Sequence, residues 1–332
     1  MAEAQAQPRK LPYVAAITDG VREVLKEQDN AFVIGEDVAG AGSVYGYYKG
    51  LLDEFGPERI YDTPISEEGI MGLGVGAAAT GCRPIVDLMF MDFIAECMDE
   101  IANQLAKMRY MFGGHARLPV TVLTMAGAGA SLAAQHSQSL EAWLCHLPGL
   151  KVVMPTTPYD AKGLIIAAAR DDNPVFVVLN KVSLAMMGEV PEGAYEIPIG
   201  KANIVRSGSN YTIVASGRML HEALKAAEQL KELGVDAEVI DPRTLQPFDI
   251  DTVADSVRKT HRVMVVHEAV RTGGLGAEIA AQIQEQAFDY LDAPVARVGA
   301  PFSPVPFSPA LEKHYVPNAE RIVAEAKRQL GL

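Results

Sequence analysis

Ala31-Phe32-Val33-Ile34-Gly35-Glu36-Asp37 runs from a short apolar stretch of strand character into a glycine and two acids. Upstream lies a helical stripe, Val14, Ile17, Val21 and Leu25, at three- and four-residue steps. A helix followed by an apolar strand that ends in a loop is the building unit of a parallel sheet covered by helices. The theme recurs downstream, with β-rich stretches at 84–91, 120–125, 150–155 and 175–179 separated by helix-like segments. The expected fold class is therefore α/β.

Two segments add detail. Ile94, Cys97, Met98, Ile101, Leu105 and Met108 follow helical spacing with polar residues between them, which predicts an amphipathic helix. Residues 69–81 hold Gly72, Gly74, Gly76 and Ala77 to Ala79, a small-residue density that suits a helix approached closely by other backbone. Pro191, Pro198 and several glycines break the periodicity after Lys181, so the reading is a first domain at 10–185, a linker at 186–200 and a second, smaller α/β domain at 201–332. Strands at 211–215, 237–240 and 263–266, a helix at 219–233 and a helix entered through Gly273-Gly274-Leu275-Gly276 fill the second domain. No short repeat or low-complexity tract is present.

With 332 residues, 49% hydrophobic and 21% charged, the chain has the composition of a folded globular protein of two domains. A formal net charge of -13 argues against nucleic acid and anionic membrane surfaces as partners. No stretch of about 20 apolar residues lacks a charge, and the N-terminal Met-Ala-Glu-Ala-Gln-Ala-Gln-Pro-Arg-Lys has no signal-peptide core, so a cytoplasmic location is expected. Cys82, Cys97 and Cys145 lack metal-ligand spacing and are assigned to packing.

Glu67 and Glu68 follow a turn at Pro64 and open the small-residue helix. They read either as first-turn acids behind a Ser66 cap or as carboxylates placed for chemistry. His136 follows a flexible Gly127-Ala128-Gly129-Ala130-Ser131 loop and reads either as a hydrogen-bonded structural residue or as a proton shuttle.

Taken in order, Asp62-Thr63-Pro64-Ile65-Ser66-Glu67, Ala106-Lys107-Met108-Arg109-Tyr110, Gln135-His136-Ser137-Gln138, Pro148-Gly149-Leu150-Lys151-Val152-Val153 and Asp160-Ala161-Lys162-Gly163-Leu164 resemble beta subunits of 2-oxo acid dehydrogenases. The resemblance runs from about residue 10 through Arg243-Thr244 and Pro304-Val305-Pro306-Phe307. It implies a transketolase-like pyrimidine-binding domain, a transketolase C-terminal-like domain and a thiamine-diphosphate-dependent enzyme acting as an alpha2-beta2 heterotetramer. The alpha subunit would hold diphosphate and magnesium. In agreement, the Gly-Asp-Gly pattern with a downstream Asn is missing, and Thr18-Asp19-Gly20 lies inside a helical stripe.

By the same resemblance, Glu67 hydrogen-bonds the aminopyrimidine and promotes ylide formation, Phe93 stacks on that ring, and His136 moves protons during carbonyl addition and transfer to a lipoyl acyltransferase. Glu36 lies near the cofactor, and Asp171 and Asn173 match positions that bind a structural potassium ion in some relatives. The implied assembly also contains a flavin dehydrogenase. Leu88-Met89-Phe90, Arg109 to Gly114 and Thr156 to Tyr159 look most like acetoin dehydrogenases, with pyruvate and branched-chain 2-oxo acids as alternative substrates. Half of a split transketolase and a silent scaffold are the rival readings.

Overall fold

The computed structural model describes residues 9–332; residues 1–8, which carry most of the N-terminal stretch read above, lie outside it. Two compact units result, one of residues up to 125 with 144–199, the other of 126–143 with 200–332.

The first unit begins with β1 (Arg9–Pro12) and α1 (Tyr13–Glu27), then β2 (Ala31–Gly35), α2 (Leu51–Phe55), β3 (Ile60–Asp62), α3 (Glu67–Ala79), β4 (Arg83–Phe90) and α4 (Met108–Met111). After β5 (Thr121–Ala126) the chain leaves this unit and returns within α5 (Glu141–Cys145), followed by β6 (Lys151–Val153), α6 (Pro158–Arg170), β7 (Val175–Asn180) and β8 (Met187–Val190). In this unit the sheet runs β6-β7-β5-β4-β2-β3, and β2 pairs in parallel with both β3 and β4. β8 pairs with β1 antiparallel, so part of the stretch read as a linker is a strand of the first unit.

The stripe of α1 is buried as its spacing requires, Ile17, Val21 and Leu25 packing with Leu164 and Ile165 of α6. Each such side chain contributes about 1.5–3 kcal/mol of burial. α6 starts where Pro158 occupies the first turn and Thr157 accepts the Asp160 N–H at 3.1 Å. The fully buried Lys162 pairs with Asp19 at 2.7 Å and donates to the Pro191 carbonyl at 2.9 Å. Asp19 thus serves the α1–α6 contact, and Thr18-Asp19-Gly20 is helix rather than a diphosphate loop.

The helix expected over 94–108 differs. Residues Met91–Cys97 wind as a 3₁₀ helix, Glu100–Leu105 as a π-helix, and only Met108–Met111 form α4. Ile94, Cys97, Ile101 and Leu105 are all buried, and a run of three- and four-residue steps keeps one face inward by tightening and then widening its turns.

The second unit contributes β9 (Asn203–Arg206), β10 (Tyr211–Ala215), α7 (Met219–Lys231), β11 (Ala237–Asp241), β12 (Thr244–Gln246), α8 (Ile250–Thr260), β13 (Val263–Val270), α9 (Gly276–Ala287), β14 (Ala296–Ala300), α10 (Pro309–Tyr315) and α11 (Ala319–Leu330). Its five-stranded sheet has the order β14-β13-β10-β11-β9. β10, β11, β13 and β14 pair in parallel, and β9 lies antiparallel at one edge. One cluster gathers Ile213, Val239, Leu220 and Ile322, another Val214, Ile240, Val257 and Ile283. The Gly273 to Gly276 stretch is the entry to α9, as its sequence suggests.

Candidate functional site

Parallel neighbours β3, β2 and β4 end on the same sheet edge, the usual place for a ligand site in an α/β sheet. Glu36 directly follows β2, Glu67 follows β3 by a short loop, and Phe93 follows β4. Asp62 ties the first two loops together, accepting the Ala39 N–H at 2.6 Å and the Gly40 N–H at 3.1 Å. The Thr63 N–H donates to the Gly35 carbonyl at 3.0 Å.

Glu67 is the first residue of α3, at the positive end of the helix dipole. Ser66 stands in the N-cap position without a capping hydrogen bond from its side chain, so the capping reading of this acidic pair is not what the structure displays. α3 reaches the sheet through its small residues. A Cβ on Gly74 would lie 2.6 Å from Val86 Cγ2, which is the close approach expected for 69–81.

Two neighbours register the Glu67 charge. Burial first, then Asp37 and Glu67, push the Glu36 carboxyl above its ordinary range. Burial, followed by the charge of Glu67, pushes the Cys97 thiol up to about 12, which leaves an inert packing residue. Phe93 is half-buried and meets Phe90 edge-on at 5.5 Å, while Phe90 meets Tyr45 edge-on at 5.8 Å. A carboxyl group after β3 and a partly exposed aromatic ring after β4, the two strands that flank β2, fit a flat nitrogen heterocycle, one by hydrogen bonding and the other by stacking.

His136 belongs to the second unit. Its loop is not the flexible segment that the glycines suggest. Gly127 and Gly129 have φ of 92° and 102°, and Ser131 and Ala133 have φ of 54° and 60°. Two acids, the part-buried Glu268 and the buried Glu312, hold this backbone: Glu268 accepts the Ala128 N–H at 2.7 Å, and Glu312 accepts the N–H groups of Gly129 and Ser131 at 2.6 and 2.9 Å. Arg218 donates to the Ala128 carbonyl at 2.9 Å. A cavity of about 500 Å³ in this unit is lined by Gln135, Ser137, Glu268, Phe302 and Tyr315 among others. Nearby, burial and then the Glu268 charge push the Glu141 carboxyl up to about 7. Sequence reading missed Glu141, Glu268 and Glu312.

Asp171 and Asn173 stand together, but their side-chain oxygens face the protein's own donors. Lys151 pairs with Asp171, the Asn173 amide donates to Asp171 at 2.8 Å, and Arg109 donates to Asn173 at 2.8 Å. Burial raises the Asp171 carboxyl, yet the Lys151 and Asn173 hydrogen bonds hold it below its ordinary range. This donor set does not fit a potassium ion held by those two side chains. Among the described residues, no group of three or more His, Cys, Asp or Glu side chains is arranged to hold a metal, and no helix is long and apolar enough to cross a membrane.

Residues 9–186 match the transketolase pyrimidine-binding domain, and residues 200–322 match the transketolase C-terminal domain. The chain belongs to the transketolase-like family of thiamine-diphosphate-dependent dehydrogenase beta subunits. It is 48% identical to the acetoin:2,6-dichlorophenolindophenol oxidoreductase subunit beta of Bacillus subtilis, covering 95% of this chain and 96% of that one. Its identity to the subunit of the same name in Cupriavidus necator is 47%, over 97% and 98%. The pyruvate dehydrogenase E1 component subunit beta of Bacillus subtilis is 44% identical over 97% and 99%. Among solved structures, a split gene transketolase described as an inactive beta4 tetramer superposes with a TM-score of 0.80 at 25% identity, over 97% of this chain and 99% of that one. The two-domain α/β fold expected for the family is the one observed.

Proposed function

We propose that this chain is the beta half of an acetoin dehydrogenase, holding the aminopyrimidine of thiamine diphosphate while an alpha subunit holds the diphosphate and magnesium. One observation carries the reading. Glu67, within electrostatic reach of Glu36, stands on the same sheet edge as Phe93, in a chain 48% identical to a beta subunit that acts on acetoin.

When bound, thiamine diphosphate supplies the nucleophilic carbon that attacks a carbonyl and allows the adjacent carbon-carbon bond to break. Glu67 binds a pyrimidine ring nitrogen and shares a proton with it. Glu36 lies within electrostatic reach of Glu67, and burial, then Asp37 and Glu67, push its own carboxyl above its ordinary range. Phe93 fixes the ring plane by stacking, and His136 gives or takes a proton at the substrate oxygen. The partners would be a lipoyl acyltransferase, whose lipoyl disulfide would take up the acyl unit and be reduced to the dithiol level, and a flavin dehydrogenase, which would reoxidise that dithiol. A cytoplasmic location belongs to the same proposal.

The test is dye reduction by the chain co-assembled with its alpha partner, comparing acetoin, pyruvate and a branched-chain 2-oxo acid. Acetoin is expected to be oxidised fastest. Faster oxidation of pyruvate would move the assignment to the 44% identical relatives. Ketol transfer between sugar phosphates without dye reduction would favour the split-transketolase reading, which the TM-score of 0.80 supports at the level of the fold.

A further inference from the structure

We propose that Asp87 is a positioning residue that sets the orientation of Phe93. This rests on the reading of Phe93 as the ring that stacks on the pyrimidine.

Asp87 lies inside β4 and is 3% exposed. Both carboxylate oxygens are used. Oδ2 accepts the Tyr47 hydroxyl at 2.6 Å, and Oδ1 accepts the Met89 N–H at 2.6 Å. Met89 has φ of 50°, a left-handed conformation that a non-glycine residue enters only when its surroundings hold it there. An acceptor two residues upstream is the local bond that stabilises such a turn.

The backbone consequence is visible in the sheet. β4 pairs in register with β5 as far as Asp87 and Leu123, shifts, and resumes at Phe90 opposite Met125. Phe90 leads directly into the 3₁₀ turn of Met91–Cys97 that carries Phe93, and the Phe90 ring meets Phe93 at 5.5 Å and Tyr45 at 5.8 Å. The anchor at the other end is rigid: Tyr47 and Tyr48 are buried and pack at 4.7 Å. Room for the carboxyl comes from β2, where a Cβ on Gly35 would stand 2.8 Å from Asp87 Cβ.

A strand core is filled as well by an apolar side chain, and burying a carboxyl is costly unless its oxygens are bonded. Here the two bonds join a fixed tyrosine to Met89, the positive-φ residue at the register shift of β4, four residues before Phe93. The oriented aromatic ring is what that arrangement produces.

A double-mutant cycle on the alpha–beta complex tests the proposal, with thiamine diphosphate affinity read by calorimetry and assembly checked by size. Phe93→Ala should weaken binding roughly tenfold, the scale of one lost stacking contact. Asp87→Ala should weaken it about three- to tenfold, and Asp87→Asn, which keeps an acceptor for the Met89 N–H, less than about twofold. In the Phe93→Ala background, Asp87→Ala should add less than about twofold. If the Asp87→Ala complex does not assemble, Tyr47→Phe provides the same cycle with ring volume retained. A full additional loss in the Phe93→Ala background, or wild-type affinity in Asp87→Ala beside a weakened Phe93→Ala, would overturn the positioning role alone. Wild-type affinity in Phe93→Ala would overturn the reading of the site itself and this role with it.

Discussion

In the first unit, glycines bring neighbouring elements into close approach: Gly35 lies against Asp87, and Gly74 against Val86. In the 126–143 segment of the second unit, carboxylates do the holding, with Glu268 and Glu312 gripping the N–H groups of Ala128, Gly129 and Ser131. Close packing is indifferent to pH, whereas a buried carboxyl with a raised pKa, such as Glu141, is not. Acids buried enough to shift occur in both units. Burial pushes Asp87 up to about 6 against two hydrogen-bond donors, and pushes Glu141 up to about 7, where its Oε2 has no hydrogen-bond partner among the described residues.

The largest expected effect on this contrast is at Glu312. Glu312→Ala removes the acceptor of two backbone N–H groups and should cost about 3–5 kcal/mol of the second unit's stability, measured by denaturant unfolding. A loss below about 1 kcal/mol would mean that the loop is held by something else.

Next is the pH dependence carried by Glu141. Its folded-state value, about 7, lies above the unfolded one, so folding favours the protonated form. The stability is fully present below about pH 4.5 and falls as pH rises towards 7, by on the order of 3 kcal/mol. Glu141→Gln should flatten this slope and raise the melting temperature at pH 8 relative to the unsubstituted chain. An equal effect at pH 4 and pH 8 would sink the assignment.

Smallest is Gly74→Ala, which drives a methyl group towards Val86 and should cost about 1–3 kcal/mol by overpacking, with no dependence on pH between 5 and 8. A clear pH dependence would mean that the cost is not the steric one.

Local patterns carried much of the fold. The stripe of α1, the strand Ala31–Gly35 and the strand Tyr211–Ala215 are set by side-chain periodicity within one element, so they could be read directly. The 91–105 stretch could not, because its apolar spacing fixes an inward face without fixing the winding. β9 and β14 are short and partly exposed, and gain strand form from their neighbours. For the candidate site, motifs named Glu36, Glu67 and Phe93, and the sheet brings the strand ends that precede them to one edge. Asp87 sits in an apolar run with no sign that Tyr47, 40 residues away, is its partner. Glu312 bonds a loop more than 180 residues upstream, so the rigidity of the His136 loop was invisible in its glycines.

The most direct test is acetoin-dependent dye reduction by the alpha–beta complex carrying Glu67→Gln, beside the unsubstituted complex. The account predicts an assembled complex that loses roughly 10²-fold or more of its activity, because the carboxyl proton at the pyrimidine is gone. Undiminished activity in an assembled Glu67→Gln complex would contradict it.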